Sequence, residues 1–154
     1  MNYWLFKSEP DVFSIDDLAR RPNKTAAWDG VRNYQVRNML RDSIRKGDQG
    51  FFYYSSCDVP GIAGIVSIEK NGYPDATQFD DKDDHYDAGA RRDDPRWYVV
   101  DVKLKRKFGR IITLEELRRH ADTKLKGLAL LTRGNRLSVM PVNAKDWQFI
   151  VSLE

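Results

Sequence analysis

Two short segments of the sequence carry side chains suited to recognising a ligand. The first, Lys7-Ser8-Glu9-Pro10, ends an aromatic N-terminal run, and the second, Trp28 to Asn33, leads into a helix. Each places aromatic or polar side chains where regular structure gives way to a turn, the usual position of recognition residues on a rigid scaffold. The two segments therefore predict the walls of a binding pocket.

Each wall residue also has a purely structural interpretation. Trp28 can be a core tryptophan, and the polar residues before Pro10 can form a solvated turn. Against this, Trp28 lies at a boundary, between two alanines and Asp29-Gly30, and not inside an apolar pattern. The Ser8 hydroxyl can donate and accept, and Asn33 occupies the position of a helix N-cap. Taken one residue at a time, the sequence leaves both interpretations open.

Further candidates lie on the elements that follow. Arg37, Arg41 and Arg45 recur every fourth residue and form one stripe on a predicted helix, which can track phosphates or be a solvated face. Arg32 precedes the positive end of the same helix. Three more candidates stand at strand boundaries, where burial is the structural alternative: Tyr53, Ser55 and Trp97.

Composition restricts the class of protein. The chain has 154 residues, 41% of them apolar, and a net charge of +3 from 26 basic and 23 acidic side chains, which suits one globular domain. No apolar run approaches the roughly 18 residues of a membrane span. The apolar start lacks the basic region of a signal peptide, so we interpret it as a first strand. A single cysteine, Cys57, indicates a reducing compartment, and we expect the cytosol.

Catalytic motifs are scarce. The chain has two histidines and no nucleophile elbow, phosphate loop or paired-histidine metal motif. The segment 80–87 is rich in aspartate but lacks the glycine and glutamate of a calcium loop. We therefore expect no metal, no cofactor and no catalysis. The alternatives are a nuclease or nucleotide hydrolase that uses the 80–87 segment, and a protein-interaction module that uses the basic surface.

The pattern of elements predicts an α+β domain spanning residues 1–154. Cap residues with an acidic residue at N3 predict helices near 14–20, 113–120 and 143–153, and an apolar face predicts the longest helix from Tyr34 to Arg45. Strand-like runs cover 50–55, 61–68, 97–104 and 136–142, and residues 75–94 read as a long acidic loop. A curved mixed or barrel-like sheet with peripheral helices accommodates these elements.

A series of segments in this sequence resembles the signatures of the EVE domain family, of the PUA-like superfamily, in the expected order and over nearly the whole chain. The segments are Tyr3 to Pro10, Trp28 to Gln35, Phe51 to Tyr53, Pro60 to Gly64, Tyr73 to Asp75, Asp94 to Trp97, Val100 to Val102 and Leu137 to Val139. The resemblance implies a PUA-like pseudobarrel related to YTH domains, which hold a methylated adenine in an aromatic cage. It also implies a non-enzymatic, monomeric reader of modified nucleobases, with modified cytosine in DNA as the leading ligand and an RNA modification as the alternative.

The resemblance also implies roles for individual residues. Lys7 and Ser8 match the strand end that lines the YTH pocket. Trp28 matches a cage tryptophan, and Asn33 matches a polar residue near the following helix. Tyr53 and Ser55 match the opposite strand, and Trp97 a second cage aromatic, whereas the long acidic loop departs from the pattern. The predicted ligand-binding set is Lys7, Ser8, Trp28, Asp29, Asn33, Tyr53, Ser55 and Trp97, and the predicted phosphate contacts are Arg32, Arg37 and Arg41.

Overall fold

A mixed six-stranded sheet forms the centre of the protein, for which a computed structural model describes residues 1–154. The strands are β1 (Tyr3–Ser8), β2 (Thr25–Ala27), β3 (Gln49–Tyr54), β4 (Gly61–Pro74), β5 (Tyr98–Thr113) and β6 (Val139–Val142). Their order in the sheet is β2-β5-β4-β3-β1-β6, with β1 and β3 parallel and every other pair antiparallel. Because β2 and β6 do not pair with each other, the sheet remains open at both edges.

Four α-helices lie around the sheet: α1 (Ile15–Arg20), α2 (Tyr34–Asn38), α3 (Leu114–Arg118) and α4 (Ala144–Ser152). The three predicted caps are confirmed, because the side chains of Ser14, Thr113 and Asn143 each accept from the backbone N–H three residues later. Such a cap satisfies one of the orphan donors of a helix N-terminus. None of the helices combines the length and the apolar character that crossing a membrane requires.

The helix predicted from Tyr34 to Arg45 is wrong in its second half. The α-helix ends at Asn38, a π-helical turn covers Met39–Ser43, and Ile44 is extended. The backbone N–H of Arg45 instead donates to the buried carboxylate of Asp48, at 2.9 Å. The wider turn and the early end break the four-residue period, so Arg45 does not continue the predicted arginine stripe.

The strands differ from the prediction mainly in length. β2 was not predicted, β4 runs on to Pro74, and β5 continues to Thr113, whereas β6 begins only at Val139. The extra part of β5 carries the exposed residues Lys105, Arg106 and Lys107, whose charge hides the alternation that marks a strand. Backbone pairing with β4 keeps this part extended.

Alternate side chains of the central strands enter two separate cores, because successive residues of a strand point to opposite faces. Phe6 and Phe52 pack in the first core with residues of α1 and α2, and Trp28 belongs to the same cluster. Leu5 and Tyr53 pack in the second core with residues of α3 and α4. The α+β class, with a mixed sheet and peripheral helices, is confirmed.

Candidate functional site

A cavity of about 550 Å³ lies between the two segments that the sequence predicts as pocket walls. One wall comes from the end of β1 and the turn after it, and the other from the stretch between β2 and α2. Six predicted site residues line this cavity: Lys7, Ser8, Trp28, Asp29, Arg32 and Asn33. The remaining predicted residues lie outside its lining: Tyr53, Ser55, Trp97, Arg37 and Arg41.

The first wall is held by the parallel pairing of β1 with β3. Beyond the last strand pair, the backbone N–H of Ser55 donates to the carbonyl of Ser8 at 3.0 Å. The Ser8 hydroxyl donates to the carbonyl of Phe13 at 2.6 Å, so its hydrogen is used and its lone pairs remain for a ligand. Lys7 forms no ion pair, and partial burial lowers the pKa of its ammonium group.

Trp28 is the aromatic surface of the second wall. Its backbone N–H donates to Val100 at 2.9 Å, which extends the pairing of β2 with β5. The side chain is 8% exposed, and its three aromatic contacts are edge contacts, with Phe6, Phe13 and Phe52 at centroid distances of 5.3, 6.3 and 5.6 Å. No other aromatic ring is stacked parallel to the indole. Its Nε1 forms no hydrogen bond within the protein, and because no fully buried side-chain polar atom lacks a partner, this N–H is accessible to solvent.

Two polar groups beside Trp28 are also without complete protein partners. Asn33 caps α2 through Oδ1, which accepts from Val36 at 3.0 Å, and this leaves its Nδ2 donors available. The carboxylate of Asp29 accepts no hydrogen bond from the protein. Burial of the carboxylate by the surrounding loops, and then repulsion from Asp75, raise the pKa of Asp29 although the residue as a whole is exposed. The site therefore offers an acceptor and several donors to a ligand.

Arg32 lines the cavity but is held by the protein. Its five guanidinium N–H groups have acceptors: the carbonyls of Val31 and His85, the Asp75 carboxylate and the Thr77 hydroxyl. The Arg32 side chain is 23% exposed, and that of Asp75 is 1% exposed. The structure thus argues against the predicted phosphate contact, because a phosphate would have to displace these acceptors.

Asp75 fixes the turn that carries the second wall. Its carboxylate accepts from the Gly30 N–H at 3.0 Å and from the N–H and hydroxyl of Thr77 at 2.8 and 2.6 Å. Burial alone would raise the pKa of Asp75, but the hydrogen bonds from Thr77, Gly30 and Arg32 outweigh it and lower the pKa. Gly30 has a φ of +79°, which only glycine adopts without strain, and so makes this turn possible.

The acidic loop, residues 75–94, is ordered by its own aspartates. Asp80, Asp83 and Asp87 each accept from the backbone N–H two residues later, at 2.8 to 3.0 Å, which is the geometry of Asx turns. No group of three or more histidine, cysteine or acidic side chains is arranged to hold a metal ion. Asp80, Asp83 and Asp87 thus shape the loop backbone.

Gln78 ties the two ends of the acidic loop together. Its buried side-chain amide donates to the carbonyls of Asp75 and Trp97 at 2.7 and 2.9 Å. Its Oε1 accepts from the N–H groups of Arg96 and Trp97, both at 3.1 Å. This closure brings His85 to the cavity, where a Cβ added to Gly30 would lie 2.7 Å from His85 Nε2.

The predicted residues outside the cavity have structural partners. Trp97 stacks on Tyr34 at 4.9 Å and donates from Nε1 to Asp87 at 2.8 Å, and Tyr53 is 3% exposed in the second core. Burial raises the pKa of Tyr53 to about 12. The guanidinium of Arg37 donates to the carbonyl of Arg96 at 2.8 Å, and that of Arg41 forms an ion pair with Asp42, also at 2.8 Å.

Some residues of the cavity were not predicted. Val12, Phe13, Arg21 and His85 belong to the lining, and the Arg21 guanidinium lies 5.3 Å from the centre of the Phe13 ring. Arg21 forms no ion pair. Its position directly after α1 could have predicted a place in the cavity, because the chain returns from the end of that helix towards Trp28. The position of His85 depends on closure of a loop, which the sequence does not reveal.

Known proteins resemble this chain over almost its whole length. Thymocyte nuclear protein 1 of Danio rerio is 47% identical over 166 residues, which cover 98% of this chain and 71% of that protein. The crystal structure of human THYN1 in complex with DNA containing 5-methylcytosine superposes with a TM-score of 0.93 at 43% identity, covering 99% and 97% of the two chains. A Pseudomonas putida protein superposes with a TM-score of 0.91 at 49% identity, covering 98% of each chain.

These relatives correct the predicted location. The expectation of a cytosolic protein is wrong, because the vertebrate relatives are named thymocyte nuclear protein 1. The lone cysteine on which that expectation rested does not separate the two compartments, since disulfides are rare in both the cytosol and the nucleus.

The family resemblance seen in the sequence is confirmed by an independent match. The superposition with the human protein extends it from the wall segments to the whole fold, including the six-stranded sheet. The EVE domain model matches residues 2–153, and the chain therefore belongs to the EVE domain family.

Proposed function

We propose that this chain is a DNA-binding domain that holds a flipped, modified cytosine in the cavity beside Trp28, without catalysis. The observation that carries the proposal is the set of unpartnered groups around one aromatic surface: the Trp28 Nε1, the Asp29 carboxylate, the Asn33 Nδ2 and the Lys7 ammonium. The related human protein bound to DNA containing 5-methylcytosine supports the choice of ligand. The volume, about 550 Å³, lies within the usual range of small-ligand sites.

The chemistry of the cavity matches the edge of cytosine. A carboxylate accepts from the N4 amino group, as acidic side chains do when they read cytosine. The Asn33 amide and the Lys7 ammonium are donors for N3 and O2. Trp28 supplies the face for stacking, worth about 1 to 3 kcal/mol per base.

A methyl group contributes less than these polar contacts. Burial of one methyl adds about 0.8 kcal/mol, roughly a fourfold preference over unmodified cytosine. An oxidised substituent that accepts a hydrogen bond from a donor of the cavity gives a stronger preference over unmodified cytosine. Without that substituent the buried donor is left unpaired, which costs about 1 to 3 kcal/mol.

Binding without turnover is consistent with the state of the one hydroxyl in the predicted set that lines the cavity. A nucleophilic serine is activated when its hydroxyl donates to a general base. The Ser8 hydroxyl donates instead to the backbone carbonyl of Phe13, at 2.6 Å. Ser8 therefore positions the turn after β1 and offers lone pairs to a ligand.

The proposal is tested by titrating single- and double-stranded oligonucleotides of DNA and RNA that carry cytosine, 5-methylcytosine or oxidised cytosines. We expect Trp28→Leu to weaken binding of the preferred base roughly 5- to 150-fold, the equivalent of about 1 to 3 kcal/mol of lost stacking. Trp147→Leu is the matched control, because this tryptophan is equally buried but lies in the second core. Thermal unfolding of both variants confirms that each remains folded at the assay temperature.

Equal binding of every base, unchanged by Trp28→Leu, would refute the proposal. A preference for a modified base confined to RNA would move the function to the alternative that the sequence left open. A change in the oligonucleotide on incubation, such as strand cleavage or base release, would contradict binding without catalysis.

A further inference from the structure

One apolar side chain projects from the mouth of the cavity. Val12 lies in the turn between β1 and α1, lines the cavity and is 75% exposed, whereas Phe13 beside it packs against the first core. A single exposed valine is ordinary on a protein surface. The position and the support of Val12 distinguish it from such residues.

The turn that carries Val12 is held at both ends. The backbone N–H groups of Val12 and Phe13 both donate to the carbonyl of Glu9 at 2.9 Å, and the Ser8 hydroxyl donates to the carbonyl of Phe13. Pro10 restricts the backbone inside the turn. Phe13 is fixed in turn by its contacts with Trp28 and Phe52, at 6.3 and 6.2 Å between ring centres. The valine is therefore a rigid projection at a set position relative to the Trp28 wall.

The charged side chains next to Val12 are acidic, so they favour contact with base edges inside a duplex over contact with its phosphate backbone. Glu9 and Asp11 flank the valine in the turn, are exposed and form no ion pair, so they repel phosphates. The cations of the same cavity that form no ion pair, Lys7 and Arg21, lie on its walls. A guanine that has lost its cytosine partner presents N–H donors, for which carboxylates are suitable acceptors.

We propose that Val12 is the wedge that enters the gap left in a DNA duplex when the modified base moves into the cavity, an inference that rests on the proposed function. Removing a base from the stack costs free energy, and proteins that open base steps insert apolar side chains such as leucine, isoleucine or proline. Val12 has the required apolar character, rigidity and position. The turn from Glu9 to Phe13, which forms one rim of the cavity, then contacts the opposite strand, and the rest of the cavity contacts the flipped base and its own strand.

The inference predicts a dependence on the second strand. Val12→Ser should weaken binding of a fully paired duplex that contains the preferred base by about tenfold, a 1.4 kcal/mol change. The same variant should lose clearly less affinity for the single strand, because no gap has to be filled there and only the contact of Val12 with the cavity changes. For a duplex with an abasic position opposite the preferred base, the loss of affinity should be intermediate between the losses for the paired duplex and the single strand. The base there is already unpaired and leaves the stack at lower cost.

Val59→Ser is the matched control, because Val59 is also exposed, at 55%, and lines no part of the cavity. Both valines are exposed, so both variants should unfold at the temperature of the wild type, which shows that the change is confined to binding. Fluorescence of 2-aminopurine placed beside the preferred base reports the opening of the stack directly, and its increase on binding should be smaller for Val12→Ser.

Three results would overturn the inference: unchanged duplex affinity for Val12→Ser, an equal loss on duplex and single strand, or the same loss for Val59→Ser. An equal loss would make Val12 a wall of the cavity. Failure of the proposed function itself is distinguishable, because it would be seen in the wild type as the absence of any base preference in single strands.

Discussion

Two regions around the cavity differ in how their polar groups are used. In the acidic loop and at Arg32, the polar groups form hydrogen bonds within the protein. All five guanidinium N–H groups of Arg32 have acceptors, and the side chain of Gln78 forms four hydrogen bonds. On the open wall, formed by the cavity-lining residues Trp28, Asp29 and Asn33, the indole N–H, the carboxylate and the amide donors have no protein partners. Buried polar groups are normally satisfied, as in the first region, and the proposed function assigns the ligand to the second.

The tryptophans of the two regions show the same contrast. Trp97 has a stacked neighbour and an acceptor for its indole N–H, whereas Trp28 has only edge contacts and a free N–H. Residue type and loop position are the same for both. The state of the hydrogen-bonding groups distinguishes the two tryptophans. Under the proposed function, this contrast predicts that substitutions in the paired region lower stability whereas substitutions on the open wall lower affinity.

The largest expected effect is on the paired side. Asp75→Ala removes the acceptor of Gly30 and leaves Arg32 without its carboxylate. Breaking a buried pair costs about 3 to 5 kcal/mol, and the partial exposure of Arg32 places this case near the lower end. Urea denaturation should therefore show about 3 kcal/mol of lost unfolding free energy.

The pH dependence of the Asp75 contribution has a definite sign. Because the folded-state pKa of Asp75 is lowered, the contribution is complete above the ordinary carboxyl pKa and disappears as the pH falls through the folded-state value. The difference between wild type and Asp75→Ala should narrow accordingly in acid. Asp80→Ala, at an exposed Asx turn of the same loop, should change stability by less than about 0.5 kcal/mol. A similar loss for both variants would show that the loop, and not the pair, is responsible.

Gly30→Ala tests the contact between the open wall and the acidic loop. Alanine at positive φ costs about 1 to 2 kcal/mol, and the new Cβ would also displace the His85 ring from the rim. Gly134 has the same conformation, with φ of +80°, and nothing within 4 Å of an added Cβ. Thermal or urea unfolding should show comparable losses for the two alanine variants, whereas oligonucleotide affinity should change only for Gly30→Ala. Unchanged affinity in both would remove His85 from the binding surface.

Asp29→Asn should have opposite effects on binding and stability. The raised pKa means that ionised Asp29 disfavours the folded state, so the variant should be slightly more stable than the wild type at neutral pH, with the difference vanishing below the ordinary carboxyl pKa. Affinity should fall about fivefold, because a neutral acceptor replaces a charge-assisted one, worth about 1 kcal/mol more.

The same carboxylate should make binding depend on pH. Wild-type affinity should decline as acid protonates Asp29 and removes its acceptor charge, whereas the affinity of Asp29→Asn should stay level over that range. Asp81→Asn, on the exposed loop, is the control. Parallel pH profiles for wild type and Asp29→Asn would exclude a role for the carboxylate in base recognition.

The smallest effect concerns phosphate contacts. Arg21 forms no ion pair and lines the cavity, whereas Arg41 is paired with Asp42. Arg21→Gln should reduce the slope of log affinity against log salt concentration by about 0.9 on duplex DNA, as loss of one phosphate contact does. Arg41→Gln should leave the slope unchanged. The reverse result would restore the arginine stripe predicted from the sequence.

Local rules predicted those parts of the fold that depend on a few neighbouring residues. The caps at Ser14, Thr113 and Asn143 follow from side-chain geometry within one helical turn, and all three are confirmed. The end of the helical segment at Ser43 did not follow from local rules, because the carboxylate that receives the Arg45 N–H belongs to Asp48, which is held by Asn2 and by Trp4 of β1. The contacts that hold Asp48 are tertiary, and a helical period does not reveal them.

The site was predictable to the extent that it lies in two continuous segments. Ser8 and Trp28 reach the same cavity, as their turn positions indicated. Tyr53 does not, since Phe52 before it already faces the first core and strand alternation sends Tyr53 to the second. The contribution of His85 depends on an ordered loop whose closure rests on Gln78, a residue with no local pattern to distinguish it.

The bonds of Gln78 have a consequence for how this surface can change. All four join its side chain to backbone groups, at Asp75, Arg96 and Trp97, so they do not depend on the side chains present there. Loop residues that make no contact with the wall can then be exchanged or lengthened at little entropic cost, since each doubling of a loop adds only about 0.6 kcal/mol. Thr77 and His85, which bind Arg32, are excluded from this freedom. New rims with new preferences can therefore arise around these fixed contacts on an unaltered scaffold.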